Sequence, residues 1–337
     1  MYNLPVFIVD TTPARYRHLV QGLAEGLGQD RFYLISLQNF GLFDFKYPHG
    51  LTFTALPFVD EPQWKPREWT HPVVYLAARG EYAALEAVTP GDVLADAAEI
   101  ICACSPDPTG AHAFHVLLSQ TLGVQASQAP HRWLPLMSMS QRGIAEAFAA
   151  DNLTTHDPAW QALLRRAEAK RFFEFNFNVN SLMLFGKALR ALGVEAPGFL
   201  MSKWMLQVLY WFECDQRHGP FTAGKALLHM EDWSGWVPHA PKPSPGVLGS
   251  AASRYQILEN LLAVGLLQRD RQGLYSISKL GSDFIVSIHT GCQDMDLPWR
   301  LRAWEDAWPE SRPKIERYLR TVFGRQKRFR SPLRAKR

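Results

Sequence analysis

Ile100-Ile-Cys-Ala-Cys-Ser-Pro-Asp-Pro-Thr-Gly-Ala-His-Ala-Phe-His115 sets the architecture expected of this chain. Ile100 to Ala103 read as a short buried strand that runs into a tight turn and then a helix. Pro106 and Pro108 fix φ, Asp107 favours the turn, and Gly110 frees the backbone where the helix opens. A strand that delivers a carboxylate to a helix N-terminus is a common setting for phosphate or metal chemistry. A hard divalent cation takes several carboxylate oxygens. Asp107 is the one acid in this stretch, so the fold of such a site is expected without its metal cage.

Upstream, residues 5–9 (Pro-Val-Phe-Ile-Val) form a second buried strand that ends at Asp10. Thr12-Pro13 marks a helix start, and Tyr16, Leu19, Val20, Leu23 and Leu27 follow helical spacing. Short apolar runs at 32–37 and 51–58 are separated by turn-rich joints. Trp64 and Trp69 sit in a proline-marked loop and are read as core anchors in preference to base-stacking platforms. From Val73 to Leu94 the spacing predicts a helix broken at Pro90-Gly91. His112 and His115, on the helix after the acidic loop, have no acidic neighbour in sequence and read as surface or packed histidines. The order predicts an α/β domain over 1–150, with a mostly parallel sheet flanked by helices and Asp10 and Asp107 at strand C-terminal ends.

Downstream, 151–319 is mainly helical, with a long helix over 158–192 and a turn at Pro197-Gly198. Residues 250–286 read as a winged helix, two amphipathic helices followed by a two-stranded wing turning at Arg271-Gln-Gly273. Arg254, Arg271 and Lys279 are its candidate phosphate contacts. A winged helix also serves as a protein-docking module. Residues 320–337 read as a basic tail: Arg320, Arg325, Lys327, Arg328, Arg330, Arg334, Lys336 and Arg337 stand there without one acid. The net charge is +4, so the eight cations of the tail leave residues 1–319 at about −4. A cationic arm of this kind fits phosphate-backbone binding, or is simply solvated.

With 337 residues, 47% of them hydrophobic, the chain is long enough for two compact domains. No apolar run approaches the roughly 20 residues that span a bilayer, so no membrane role is expected. The start lacks a basic n-region, so no signal peptide and a cytoplasmic location are expected. Cys102, Cys104, Cys214 and Cys292 have no CxxC pair and no zinc spacing and read as buried cytosolic thiols.

Segments along most of the chain resemble, in order, the type IA DNA topoisomerases of bacteria. The stretch 105–111 is similar to the acidic loop of their Toprim domain, Asp-Pro-Asp-Arg-Glu-Gly-Glu, with Ser105, Asp107 and Thr109 at the three acidic positions and Ala111 at the last Glu. Asp10 stands where the family has its general acid/base Glu, one methylene shorter; an acidic helix cap is the other reading. Residues 131–148 resemble the strand and helix that close the domain, with Met139 or Ser140 at the family's Thr. Lys170, Arg171, Glu174 and Asn180 keep the character of "Ala-Arg-Arg-x-x-Asp…Gly-x-Asn". Ser202 and Gln207 match "Leu-Ser-x-Gly-Arg-Val-Gln", whose Gly and Arg are Trp204 and Met205 here. Phe221 to Glu231 resembles "Tyr-Thr-x-x-x-Leu…Met-Glu", Gly249 to Glu259 resembles "Gly-Thr-x-Ala-Thr-Arg-x-x-Ile-Ile-Glu", and Trp304-Glu305 matches the closing "Trp-Glu". Only about a dozen residues separate Gln207 from Phe221, where the family inserts its gate and nucleophilic Tyr.

The resemblance implies a Toprim domain followed by a helical, winged-helix-like DNA-binding domain, without gate and without nucleophile. It implies a DNA-binding protein that does not cut DNA, part of a larger DNA-processing, mobile-element or defence assembly with protein partners. Candidate DNA contacts are Lys170, Arg171, Asn180, Ser202, Lys203, Gln207, Arg254, Arg271, Lys279, Arg325, Lys327, Arg328 and Arg330. Asp10 and Asp107 are vestigial catalytic positions. No cofactor is expected, with Mg²⁺ only for a residual activity at those two acids. A divergent metal-dependent Toprim nuclease and a protein-interaction scaffold are the alternatives.

Overall fold

The computed structural model describes residues 3–12, 18–38, 41–69, 71–150, 152–196, 198–214, 220–233 and 246–333. The expected helix start at Pro13, together with Tyr16 and Pro197, lies outside the described residues. By contacts the chain forms two units, Met1–Lys46 with Gln63–Ala169, and Tyr47–Pro62 with Lys170–Arg337. The division falls between Ala169 and Lys170, beyond residue 150, and it hands the short segment Tyr47–Pro62 to the second unit.

The first unit contains, in chain order, β1 (Val6–Val9), α1 (Leu19–Leu27), β2 (Arg31–Ser36), β3 (Phe43–Phe45), β4 (Trp64–Pro66), β5 (Val74–Ala78) and β6 (Glu81–Ala84). There follow α2 (Pro90–Ala95), β7 (Ile100–Cys102), α3 (Pro108–Thr121), α4 (Val124–Gln128), β8 (Arg132–Trp133), α5 (Gln141–Ala149) and the first turns of α6 (Pro158–Ala191). Among the described residues, six strands form one sheet in the order β6-β5-β2-β1-β7-β8. The pairs β1–β2, β1–β7 and β7–β8 are parallel, while β2–β5 and β5–β6 are antiparallel. The sheet is therefore mostly parallel, as expected.

Alternation along the strands assigns the two faces. Val6, Ile8, Ile35 and Cys102 join Phe114 and Leu117 of α3 in one core. Phe7, Val9, Leu34 and Ile101 join Leu19 and Leu23 of α1 and Ile144 of α5 in the other. Both faces are covered, which is why β1 and β2 read as unbroken apolar runs.

The helix expected from Val73 is instead a hairpin. Ala78 pairs with Glu81 across a two-residue loop in which Arg79 (φ 53°) and Gly80 (φ 78°) are both left-handed. That is type I′ geometry, whose twist matches the strands it joins. A helix begins only at Pro90, where Thr89 and Asp92 form a reciprocal capping box.

The second unit holds the rest of α6, then α7 (Lys203–Cys214), α8 (Ala223–Glu231), α9 (Ala251–Ala263), β9 (Leu267–Arg269), β10 (Tyr275–Ile277), α10 (Lys279–Val286), α11 (Leu297–Asp306) and α12 (Arg312–Arg328). Its core is aromatic, with the Phe323 ring 5.2 Å from Phe177 and 5.7 Å from Phe185. Between 250 and 286 the order is helix, hairpin, helix. The second helix ahead of the hairpin is α8, before residue 250, and Phe221 bridges Tyr275 beside the hairpin.

Residues 51–58, an apolar run in the sequence, form a short 3-10 turn and extended chain held by α6. Asn176, 0% exposed, accepts the Asp60 N–H (2.8 Å) and donates to the Asp60 carbonyl (2.9 Å). Asn180 does the same for Phe58 at 2.9 and 2.7 Å. Two amides thus replace a β-ladder. Asn176→Ala removes the partner of the Asp60 N–H and carbonyl and is expected to cost about 1–2 kcal/mol in urea unfolding. A loss below about 0.5 kcal/mol, the scatter of surface substitutions, would show that water replaces the amide.

Candidate nucleic-acid interface

The two acids of the first unit serve the backbone. Asp10 follows β1, and its Oδ2 accepts the Ser105 N–H at 2.9 Å. Asp107 caps α3, its Oδ1 accepting the Thr109 and Gly110 N–H groups at 2.7 and 2.9 Å. The helix start that Asp10 would cap lies outside the described residues. Both carboxylates act on one buried thiol: the Cys102 side chain, burial, and Asp10 and Asp107 together push Cys104 up. Gly110 is not in a left-handed conformation. Its role is steric, since a Cβ there would lie 2.4 Å from the Ser105 carbonyl oxygen.

Among the described residues, no group of three or more His, Cys, Asp or Glu side chains is placed to hold a metal ion. His112 is buried with its ring 5.1 Å from Trp64. Burial pushes His115 down, favouring the neutral ring, against a backbone hydrogen bond at Ser127.

In the second unit two of the candidate DNA contacts, Arg171 and Lys203, converge on Glu174. Its carboxylate takes the Lys203 ammonium at 2.6 Å and the Arg171 guanidinium at 2.8 Å. Burial by itself would raise Glu174, but Lys203, Arg171 and Lys170 together hold it well below the usual carboxylate range. Lys203, 4% exposed, is pushed down by burial in spite of Glu174. Burial raises Glu305 against Lys170 and Lys203.

Most of the other candidate contacts are buried or paired within the protein. Ser202 accepts the Met205 N–H at the start of α7, and Gln207 is buried with its Oε1 unpaired among the described residues. Asn180 holds Phe58. Arg254 is buried, 3.3 Å from Glu231, with its Nε unpaired among the described residues. Arg271 is exposed at the hairpin turn, and Lys279 pairs with Asp283 at 3.0 Å.

The exposed cations gather elsewhere. Residues 320–328, read as the start of a tail, are the second half of α12. Ile315, Leu319, Val322 and Phe323 are buried at helical spacing. At 3.6 residues per turn, Arg317, Arg320, Arg325 and Arg328 fall on the opposite face, within an arc of about 140°. They line one open groove with Glu316, whose carboxylate is taken by Arg312 at 3.0 Å. Among the described residues, none of the four arginines has a carboxylate partner. Part of this clustering serves the helix, because cations in the last turn offset its C-terminal dipole. Arg317 and Arg320 lie too far from that end for the dipole to explain them.

No family model matches the chain, and no curated protein matches it either.

Of the tail residues, Lys327 turns inward and donates to the Thr54 and Leu56 carbonyls at 3.0 and 2.7 Å. Arg330 is exposed, and Arg334, Lys336 and Arg337 lie outside the described residues. Arg317 was not counted with the tail, although its spacing of three, eight and eleven residues from the later arginines marks it. No described helix is long and apolar enough to cross a membrane.

Proposed function

We propose that this chain binds DNA on the scaffold of the type IA topoisomerases and does not itself cut it. The observation that carries the reading is the arginine face of α12, a row of uncompensated cations on a helix whose other face is buried. Such a row tracks the phosphate backbone and needs no base contacts. The scaffold part is supported by the collinear motifs and by Asp107 heading α3 after a parallel strand, as in a Toprim domain. The run α8, α9, β9, β10 with Phe221 beside the hairpin is the order of a winged helix. Asp10 and Asp107 each give one oxygen to backbone N–H groups, and two carboxylates are few ligands for a hard divalent cation. A role within a mobile-element or defence assembly fits a retained scaffold.

Truncating the chain at 320 would remove buried Val322 and Phe323, so charge reversal is the cleaner test. Arg317→Glu, Arg320→Glu and Arg328→Glu together are expected to weaken DNA binding and flatten its salt dependence. The slope should fall by about one for each arginine that meets a phosphate. Mg²⁺ and chelator should give the same affinity. Unchanged binding in the triple variant would overturn the reading. Divalent-dependent cleavage, lost in Asp107→Ala, would replace it with the nuclease. Absence of DNA binding at moderate salt would leave the protein scaffold.

A further inference from the structure

A second basic concavity, of about 330 Å³, lies within the second unit on another side of α12. We infer that it is a binding site for an organic phosphate with a flat apolar body, of the nucleoside monophosphate class.

The apolar wall is one stripe of α6, in which Leu184, Ala188, Ala191 and Leu192 follow helical spacing. Small residues at its centre leave a flat surface, the shape a planar ring needs. Two aromatic residues extend the wall. Phe53, 37% exposed, is held between ammonium groups, with Lys187 Nζ 4.2 Å and Lys327 Nζ 5.6 Å from its centroid. Phe329 is set edge-to-face on His289 at 5.6 Å.

The charge is one-sided. Lys187, Lys279, Lys327 and Arg330 line the cavity against a single acid, Asp283, which Lys279 already engages. Among the described residues, Lys187, Lys327 and Arg330 have no carboxylate partner. Lys327 is fixed in place by its two carbonyl acceptors, so its remaining charge is preorganised. Three cations without a carboxylate partner call for a multiply charged anion, and the apolar wall calls for a body attached to it. Inorganic phosphate meets the first demand only. The volume of about 330 Å³ sits at the lower end of the roughly 300–1,000 Å³ typical of small-molecule sites, enough for one nucleotide.

The phosphate ester has two possible sources, a free nucleotide or the phosphorylated end of a strand. The test uses the full chain and a fluorescent purine nucleoside monophosphate, followed by anisotropy. The wild type is expected to bind it roughly tenfold tighter than the same nucleoside without phosphate, reflecting charge-assisted contacts. Ala191→Trp, at an exposed position on the wall, fills the cavity, and Lys187→Glu reverses its charge. Each should weaken binding by about tenfold or more, whereas Arg142→Glu, a charge reversal at an exposed position of the first unit, should leave it unchanged. Ala191→Trp and Lys187→Glu, both at exposed positions, should retain the wild-type melting temperature. Equal binding of nucleotide and nucleoside, wild-type binding by Ala191→Trp, or no binding at millimolar nucleotide would each overturn the inference. Oligonucleotides with phosphorylated and hydroxyl termini then separate the sources. Preference for the phosphorylated strand assigns the site to a strand end, and nucleotide binding without that preference assigns it to the free nucleotide.

Discussion

Glu174→Gln is expected to lower the stability of the full chain by about 3 kcal/mol in urea unfolding at neutral pH. The loss comes chiefly from what the substitution leaves behind. Lys203 is 4% exposed, and without Glu174 its ammonium is a buried charge that loses its ion-pair partner and keeps only the weaker attraction of Glu305. The reverse change is milder, because Lys203→Met leaves Glu174 with Arg171 at 2.8 Å. The double variant Glu174→Gln, Lys203→Met should therefore be more stable than Glu174→Gln alone. A double variant no better than the single one would mean that the pair is not coupled. The pH dependence has a definite sign. Glu174 is depressed in the folded state, so its contribution is complete above the ordinary carboxylate value of about 4.3 and lost as acid titrates the folded group. Stability of the wild type should fall with pH in that acid range more steeply than that of the double variant.

The second large effect is expected at Gly110→Ala, at about 3 kcal/mol. The new Cβ meets the Ser105 carbonyl oxygen at 2.4 Å and the Cys104 Cβ at 3.1 Å. Neither is the tip of a flexible side chain. The loop would have to lift away from α3, breaking the Asp10 bond to the Ser105 N–H. Faster hydrogen exchange at Ser105 and Thr109 should accompany the loss. Gly91→Ala is the matched control, since its Cβ comes no nearer than 3.7 Å to the Thr89 Oγ1. There the change should be neutral or stabilising by up to about 1 kcal/mol. Equal effects at the two glycines would show that backbone entropy and not the close approach governs both.

Much of the first unit was legible because its signals are local. The runs at 6–9 and 100–102 are buried on both faces, and Asp107-Pro108 announces the start of α3. The stretch 73–84 was misread because Val73, Val74 and Ala77 also fit a helical stripe. The turn that overrides it depends on Arg79 adopting a left-handed conformation, for which arginine has no strong preference. The charge count over 320–337 hid the buried stripe of Ile315, Leu319, Val322 and Phe323, so a packed helix read as an arm. The Glu174–Lys203 pair and the Asn176 and Asn180 clasps join residues far apart in sequence, and no local pattern encodes such partners. The Lys187 and Phe53 cavity left no sequence signal for the same reason.

The clasp at 58–60 has a consequence for biosynthesis. Phe58 is separated from Asn180 by 122 positions. At about 5–20 residues per second, a ribosome needs on the order of 6–24 s to make that interval. For that time Tyr47–Pro62 has left the peptidyl-transferase centre before its own partner exists, while most of the first unit is still being made around it. An early-emerging piece that waits for a late one is a natural client for a nascent-chain holdase. It also means that a fragment of residues 170–337 lacks the segment its asparagines grip, and expression of the second unit by itself requires supplying 47–62 as a separate peptide.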